Sequence, residues 1–406
     1  MKIARITGKP HSHHAGRTLL VGLLLVLALV TTAQAGNKKK DAEAAAPQID
    51  LSKLVWPPAP DLGRISYLQT VTGEEDLNPT ANKKKKSTWL DKMAGVSLPQ
   101  DSGKPHTRGP YGVASDSKGL IYVADVTNRA VFVFDLQQKV VRLIGAQKLQ
   151  APSGLTIDDS DRIFVVDSQA LLVFVFRPDG SLEGTFGQGK LTRPVGVSID
   201  NENRFAYVVD AMGNRVAVFD ADSYRFLRYV GKPKTMDPLE PGTFDRPTNV
   251  AVDSDGNIYV TDTFNARVQV FDADGEFLRM WGKPGTTAGC FMRPKGIAID
   301  RDNHVYVVDS EFNNVQIFDT EGHPLLFFGD RGDAPGTFTL AAGIGIDGQD
   351  RVMVTEQWTG RVQIFKYLND ADAKPRYEKL AAELKKQQEE QLAREKAVRE
   401  SSAPKK

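Results

Sequence analysis

The 406 residues carry 52 Lys and Arg against 51 Asp and Glu, and 41% are hydrophobic, ordinary values for a chain with a sizeable folded core. A single cysteine, Cys290, excludes an internal disulfide, a cysteine-based zinc site and haem attachment through a CxxCH motif. The net charge of +1 is unevenly placed: residues 1–35 hold four cations and no acids, 36–60 a net +1 and 370–406 a net +2, leaving 61–369 close to −6 and poorly matched to nucleic acid.

The chain opens with a basic segment (Lys2, Arg5, Lys9, Arg17), an apolar run Leu19–Val30 and the small-residue pattern Ala33-Gln34-Ala35. These are the marks of a secretory signal peptide over 1–35, and the core is short for a bilayer-spanning helix. The expectation is an exported bacterial protein, periplasmic or secreted. Membrane contact is expected only through this segment, if it is retained uncleaved. Residues 36–60 read as a linker of charge, Ala and Pro without periodicity. Gly63–Gly73 reads as an isolated strand. Lys83–Lys86 reads as a solvated loop, followed by a short helix around Trp89–Val96.

From Pro110 one unit recurs, clearest over 245–282. VAVD (Val250–Asp253) leads through the turn Ser254–Asn257 into IYVTD (Ile258–Asp262). A polar loop then leads to RVQVF (Arg267–Phe271), and a turn Asp272–Gly275 to EFLRMWG. The second strand of successive copies ends at Asp125, Asp167, Asp210, Asp262, Asp309 and Glu356, spaced 42, 43, 52, 47 and 47 residues apart. The third closes on Phe134, Phe176, Phe219, Phe271, Phe318 and Phe365. Four short antiparallel strands cannot bury both faces alone, so six copies imply an all-β, six-bladed β-propeller over 61–369. The last copy has only three strands. The strand at Arg64–Leu68 is expected to pair beside Arg361–Leu368 and close the ring, covering an aggregation-prone edge. After Asp370 the Glu-, Lys-, Gln- and Ala-rich stretch 370–406 predicts a charged, solvated helical tail.

The order Pro-x-Gly-Val-x-x-Asp, Gly-x-Ile-Tyr-Val-x-Asp, Asn-x-Arg-Val-x-Val-Phe, Gly-x-Phe-Leu-x-x-x-Gly resembles the NHL repeat over about 110–368, with Asp262, Asn265 and Arg267 in place. Copies depart from it at Ala130, at Ala170 and Leu172, and at Asn314. The resemblance implies a propeller scaffold. Its members include RNA-binding and protein-binding modules attached to RING and B-box domains, and a zinc-dependent amidating lyase.

Function is expected on the face carrying the blade-to-blade connectors and the loops between second and third strands. Arg108, Arg193, Arg246 and Arg293 each precede a first strand, and with Tyr111, Phe264, Phe312 and Trp358 form a candidate rim for a protein or peptide partner. The structural alternative pairs each Arg with a neighbouring blade's Asp, stapling the ring. No catalytic residues, metal ligands or cofactor are assigned. His106, His304 and His323 are too scattered for a zinc site, and Asp253–Asn257 lacks the Glu that a calcium loop requires at its twelfth position, Phe264. The leading reading is a non-catalytic scaffold of the cell envelope. A propeller hydrolase or lyase with a metal near the axis is the alternative.

Overall fold

A computed structural model describes residues 50–58, 60–78, 104–232, 237 and 240–402. The expected signal peptide 1–35, Lys83–Lys86 and the helix expected around 89–96 lie outside the described residues. Among the described residues no helix is long and apolar enough to cross a membrane.

The repeats form six antiparallel sheets, five of four strands and one of five. Alternating Val, Ile, Tyr and Phe give each second and third strand two apolar faces, and these strands are buried almost throughout, as in Ile258–Asp262 and Arg267–Phe271. Such a strand is satisfied only between two other sheets. Accordingly, the buried side chains fall into six clusters, each drawn from two neighbouring blades. Tyr122, Val131 and Ile144 of blade 1, for example, pack with Leu155, Val165 and Phe176 of blade 2. Val71, Met353, Val362 and Ile364 of blade 6 pack with Val113, Ile121, Phe132 and Phe134 of blade 1, so the ring is shut. The third-strand Phe of each blade sits in these seams: Phe219 meets Phe186 at 4.9 Å, Phe318 meets Trp281 at 5.8 Å and Phe365 meets Phe328 at 5.0 Å, each partner belonging to the blade before.

At the centre the first strands approach one another backbone to backbone. A Cβ on Gly154 would lie 2.6 Å from the Val195 carbonyl oxygen and 2.7 Å from the Gly196 Cα, and one on Gly343 would collide with the Tyr111 carbonyl. Blade 4 carries Asn249 at this place. There hydroxyls hold the next blade, Thr261 donating to the Lys295 carbonyl at 2.7 Å and Thr263 to the Pro294 carbonyl at 2.7 Å, as Thr355 of blade 6 does to the Tyr111 carbonyl at 2.6 Å.

Ring closure follows the expected pairing. Ile65–Val71 lies antiparallel to Arg361–Tyr367, with Ile65 opposite Tyr367, Tyr67 opposite Phe365 and Val71 opposite Val362, and a bulge between Tyr67 and Gln69. Two expectations are corrected. The stretch 36–60 is not linker throughout: Val55–Trp56 adds a fifth strand against Ile65–Ser66, and Trp56 packs on Phe365 at 5.8 Å and Phe328 at 6.1 Å. The C-terminal helix Asp370–Ser402 is not wholly solvated either. Asn369 caps it by accepting from the Asp372 N–H at 3.0 Å, and Ala373 is buried. Arg64–Asp370 (2.7 Å), Lys366–Asp372 (3.4 Å), Lys53–Glu383 (3.4 Å) and the Arg376 bond to the Ser66 hydroxyl (2.8 Å) dock its first part over the closing strands.

Deleting residues 61–73 removes Ile65, Tyr67 and Val71 from two seams and bares the Arg361–Tyr367 edge, so the protein is expected to aggregate on expression. A soluble monomer with an unaltered melting temperature, read by light scattering and thermal unfolding, contradicts this closure.

Candidate binding face

The carboxylate ending each second strand is fully buried: Asp125, Asp167, Asp210, Asp262, Asp309 and Glu356 are all 0% exposed. A buried carboxylate requires donors, and each finds them in its own blade's connector. Asp125 accepts the backbone N–H of Arg108 at 2.6 Å and of Gly109 at 3.0 Å. Asp210 accepts those of Thr192 at 3.0 Å and Arg193 at 2.7 Å, and Asp309 that of Met292 at 2.7 Å. The other oxygen of Asp125, Asp167 and Asp309 caps the second-to-third-strand loop, as Asp125 does for Thr127 and Asn128 at 3.0 and 2.8 Å. The charge partner, where present, is the Arg five residues on: Arg215–Asp210 at 3.3 Å, Arg267–Asp262 at 2.7 Å and Arg361–Glu356 at 2.6 Å. The expected stapling of Arg108, Arg193, Arg246 and Arg293 to a neighbouring blade's Asp is therefore corrected. Arg108, Arg193 and Arg293 reach the buried Asp of their own blade through backbone N–H.

Three connectors are longer and share a lock that the sequence reading missed. Gln269, Gln316 and Gln363, each in the third strand, accept the N–H of Gly242, Gly289 and Gly336 at 2.9, 2.9 and 2.8 Å and donate to the carbonyls of Thr243, Cys290 and Thr337 at 2.8, 2.8 and 2.6 Å. Phe244, Phe291 and Phe338 follow, all buried, and pack on their blade's third-strand Phe at 5.5, 5.6 and 5.8 Å. The signal was present as the recurring Val-Gln-[Val/Ile]-Phe at 47-residue spacing. In blades 1–3 the matching positions are Phe132, Phe174 and Ala217. The ring thus has a half whose longer connectors are each locked at their final turn.

That same half displays two large exposed aromatic side chains on this face. Phe264 is 51% exposed and Trp358 77%, with Met292 and Leu340 also on the surface. Of the eight candidate rim residues, three converge. The Arg246 and Arg293 guanidiniums lie over one Phe264 ring, 4.8 and 5.6 Å from its centroid, and Arg293 meets Glu311 at 3.6 Å. Arg246 holds φ at +49°, a region bulky residues rarely enter, while Asn214 accepts its N–H at 2.8 Å. Tyr111 and Arg193 form a second grouping: burial pushes the Tyr111 hydroxyl up to about 12, with the Arg193 charge pulling the other way. Arg108 stands apart from both, donating to His106 Nε2 at 3.2 Å. Phe312 is half-buried, and its N–H caps Asp309 at 3.2 Å.

The axial cavity encloses about 190 Å3 and is walled by first-strand residues such as Ala114, Thr156, Ser198, Ala298 and Ile346, with Asn249 its most polar member. No carboxylate, imidazole or thiol is among its lining residues. No group of three or more His, Cys, Asp or Glu side chains gathers to hold a metal among the described residues. The opposite face is built of capped turns. Asp253 accepts the N–H of Asp255 and Asn257 at 3.0 and 2.8 Å, so the Asp253–Asn257 motif is a turn. His304 and His323 each pair with the Asp four residues before, at 2.9 and 2.8 Å. Arg204 bridges blades there, reaching Asp158 at 3.3 Å and Asp222 at 2.9 Å.

Comparison with known proteins agrees with this architecture. A family model described as a 6-bladed beta-propeller matches residues 146–233 and 244–326, and a beta-propeller repeat model matches 226–261. No curated protein matches. Among solved structures, a protein of unknown function from Bacteroides thetaiotaomicron superposes with a TM-score of 0.54 at 16% identity, over 64% of this chain and 70% of that one. A virginiamycin B lyase from Staphylococcus aureus gives 0.48 at 14% identity over 64% and 96%, and a gluconolactonase from Xanthomonas campestris 0.49 at 15% over 64% and 89%. At these identities the likeness is one of fold.

Two outcomes follow from the carboxylates and turns. Burial holds Asp262 above the usual carboxylate range, against donors that include Arg267, itself 2% exposed. Arg267→Ala is expected to cost about 3–5 kcal/mol in chemical denaturation, because it leaves the carboxylate buried without its charge partner. The more exposed Arg215→Ala is expected to cost about 1 kcal/mol. At the other face, the hydrogen bond to Asp300 raises His304 from 6.5. Burial alone would raise Asp300, but bonds from His304 and Tyr306 hold it below 3.8. The pair's stabilisation is therefore complete between those two values. It is lost as pH rises through the raised His304 value or falls through the lowered Asp300 value. The stability deficit of His304→Gln, measured by urea unfolding across pH, is expected to be greatest at pH 4–6.5 and to shrink above it.

Proposed function

We propose that this chain is an exported NHL-type propeller that acts without catalysis, binding a protein or peptide partner of the bacterial cell envelope on its connector face. The observation that carries the reading is the division of labour on that face. All six recurrent carboxylates are buried and engaged with backbone amides or with the Arg and Gln of their own blade. What faces solvent includes guanidinium, aromatic and thioether side chains, with Glu311 beside Arg293. That combination suits recognition, since Arg and aromatic anchors dominate protein interfaces. Reaction chemistry needs a free base, nucleophile or metal, and the axial wall presents none of the usual ligands among the described residues. The repeat motif and the leader-like first 35 residues support the family and the export.

Capture from envelope extract on the immobilised protein tests this. Arg193→Ala, Arg246→Ala and Arg293→Ala combined are expected to reduce recovery of a specific partner roughly tenfold or more. Arg301→Ala, on the opposite face, is expected to leave it unchanged. An unaltered set of captured proteins with the triple variant counts against the face.

A further inference from the structure

Among the described residues of the connector face, cations outnumber acids where blades 4 and 5 meet. Arg246 and Arg293 share the Phe264 ring, and two residues beyond Arg293 stands Lys295, at the connector end of the innermost strand of blade 5. Lys295 is half-buried, and no described residue accepts a hydrogen bond from its ammonium. Burial and the nearby Arg293 charge lower its proton affinity, with Glu311 opposing them. Its backbone is held, the carbonyl accepting the hydroxyls of Thr248 at 3.2 Å and Thr261 at 2.7 Å. Against these three cations the ion pairs set Glu311 alone, 3.6 Å from Arg293, with both side chains more than half exposed. A partly desolvated ammonium near a guanidinium attracts an anion, and a guanidinium held over a ring retains N–H donors for a carboxylate.

We propose that this corner of blades 4 and 5 recognises an acidic peptide segment. One of its carboxylates is received between Arg293 and Lys295, and a flanking apolar side chain lies on Phe264 and Met292. The assignment rests on the reading of the connector face as the binding face. A peptide fits better than a nucleic acid, because the cations form a single cluster beside exposed apolar surface on a body of net negative charge. A phosphate backbone is followed instead by an extended basic track.

The test is fluorescence polarisation with the full-length protein. The probe is a labelled decapeptide carrying Glu-Phe-Glu between Gly-Ser flanks, compared with its Gln-Phe-Gln counterpart. The acidic peptide is expected to bind roughly tenfold tighter, with most of that preference removed by Arg293→Gln and by Lys295→Met. Arg301→Gln is expected to change nothing. Arg246→Gly guards against misfolding, because glycine accepts the positive φ. It is expected to weaken binding while the melting temperature holds within roughly 3 °C. Equal affinity for the two peptides, no binding of the acidic one, or tighter binding of a single-stranded ten-nucleotide RNA overturns the proposal. A partner captured through the connector arginines, together with equal affinity for the two peptides, removes the acidic class while leaving the face standing.

Discussion

The structure depends on how closely six backbones pass one another at the axis. Five of the six first strands carry Gly at the point of nearest approach, and at Gly154 a single added carbon would press on the next blade's carbonyl and Cα at 2.6–2.7 Å. This tightness sets the radius of the ring and keeps the axial cavity to about 190 Å3, walled by small or aliphatic residues. Polar chemistry is displaced to the two ends of the strands, and the two ends use it differently. On the turn side, carboxylates cap turns and arginines tie blade to blade. On the connector side, carboxylates pin the incoming chain, so that exposed side chains stand on a fixed base. At Asn249 the ring departs from its glycine rule, and hydroxyls hold the next blade there. The blade that follows is the one that carries Arg293 and Lys295.

Much of the architecture was legible because a propeller writes the same line six times. The Asp and Phe positions recur with burial as their common cause: all six terminal carboxylates and all six third-strand phenylalanines are shielded. Closure was legible by counting, since three strands at one end need a fourth from elsewhere. The extra strand at Val55–Trp56 was not legible, because two residues in a Pro-rich stretch carry no period. Trp56 is drawn in by Phe328 and Phe365, which lie some 270 residues or more further on. Docking of the C-terminal helix was hidden for a related reason. It relies on Ala373 and on ion pairs to Arg64 and Lys366, not on an apolar stripe.

The candidate site was half legible. Arg246 and Arg293 could be named because an Arg recurs just before a first strand, and Phe264 because its loop opens on the same face; the three do meet. Their company could not be read. A sequence does not say whether an arginine near an aspartate offers its side chain or its amide, and at Arg108, Arg193 and Arg293 it is the amide. Lys295 escaped notice because a lone Lys between Pro and Gly looks like any solvated residue. Only the fold shows it half enclosed at the inner end of a blade.

Closing the ring with material from the front of the chain has a consequence for how the molecule comes into being. Ile65–Val71 leaves the ribosome early, and its partner Arg361–Tyr367 follows about 290 residues later (71 to 361). Blades 1 to 5 are complete units, with blades 2 to 4 flanked on both sides, but blades 1 and 5 each lack one neighbour until the sixth is finished. The last two seams, and with them the closed ring, therefore form only when both ends of the propeller come together.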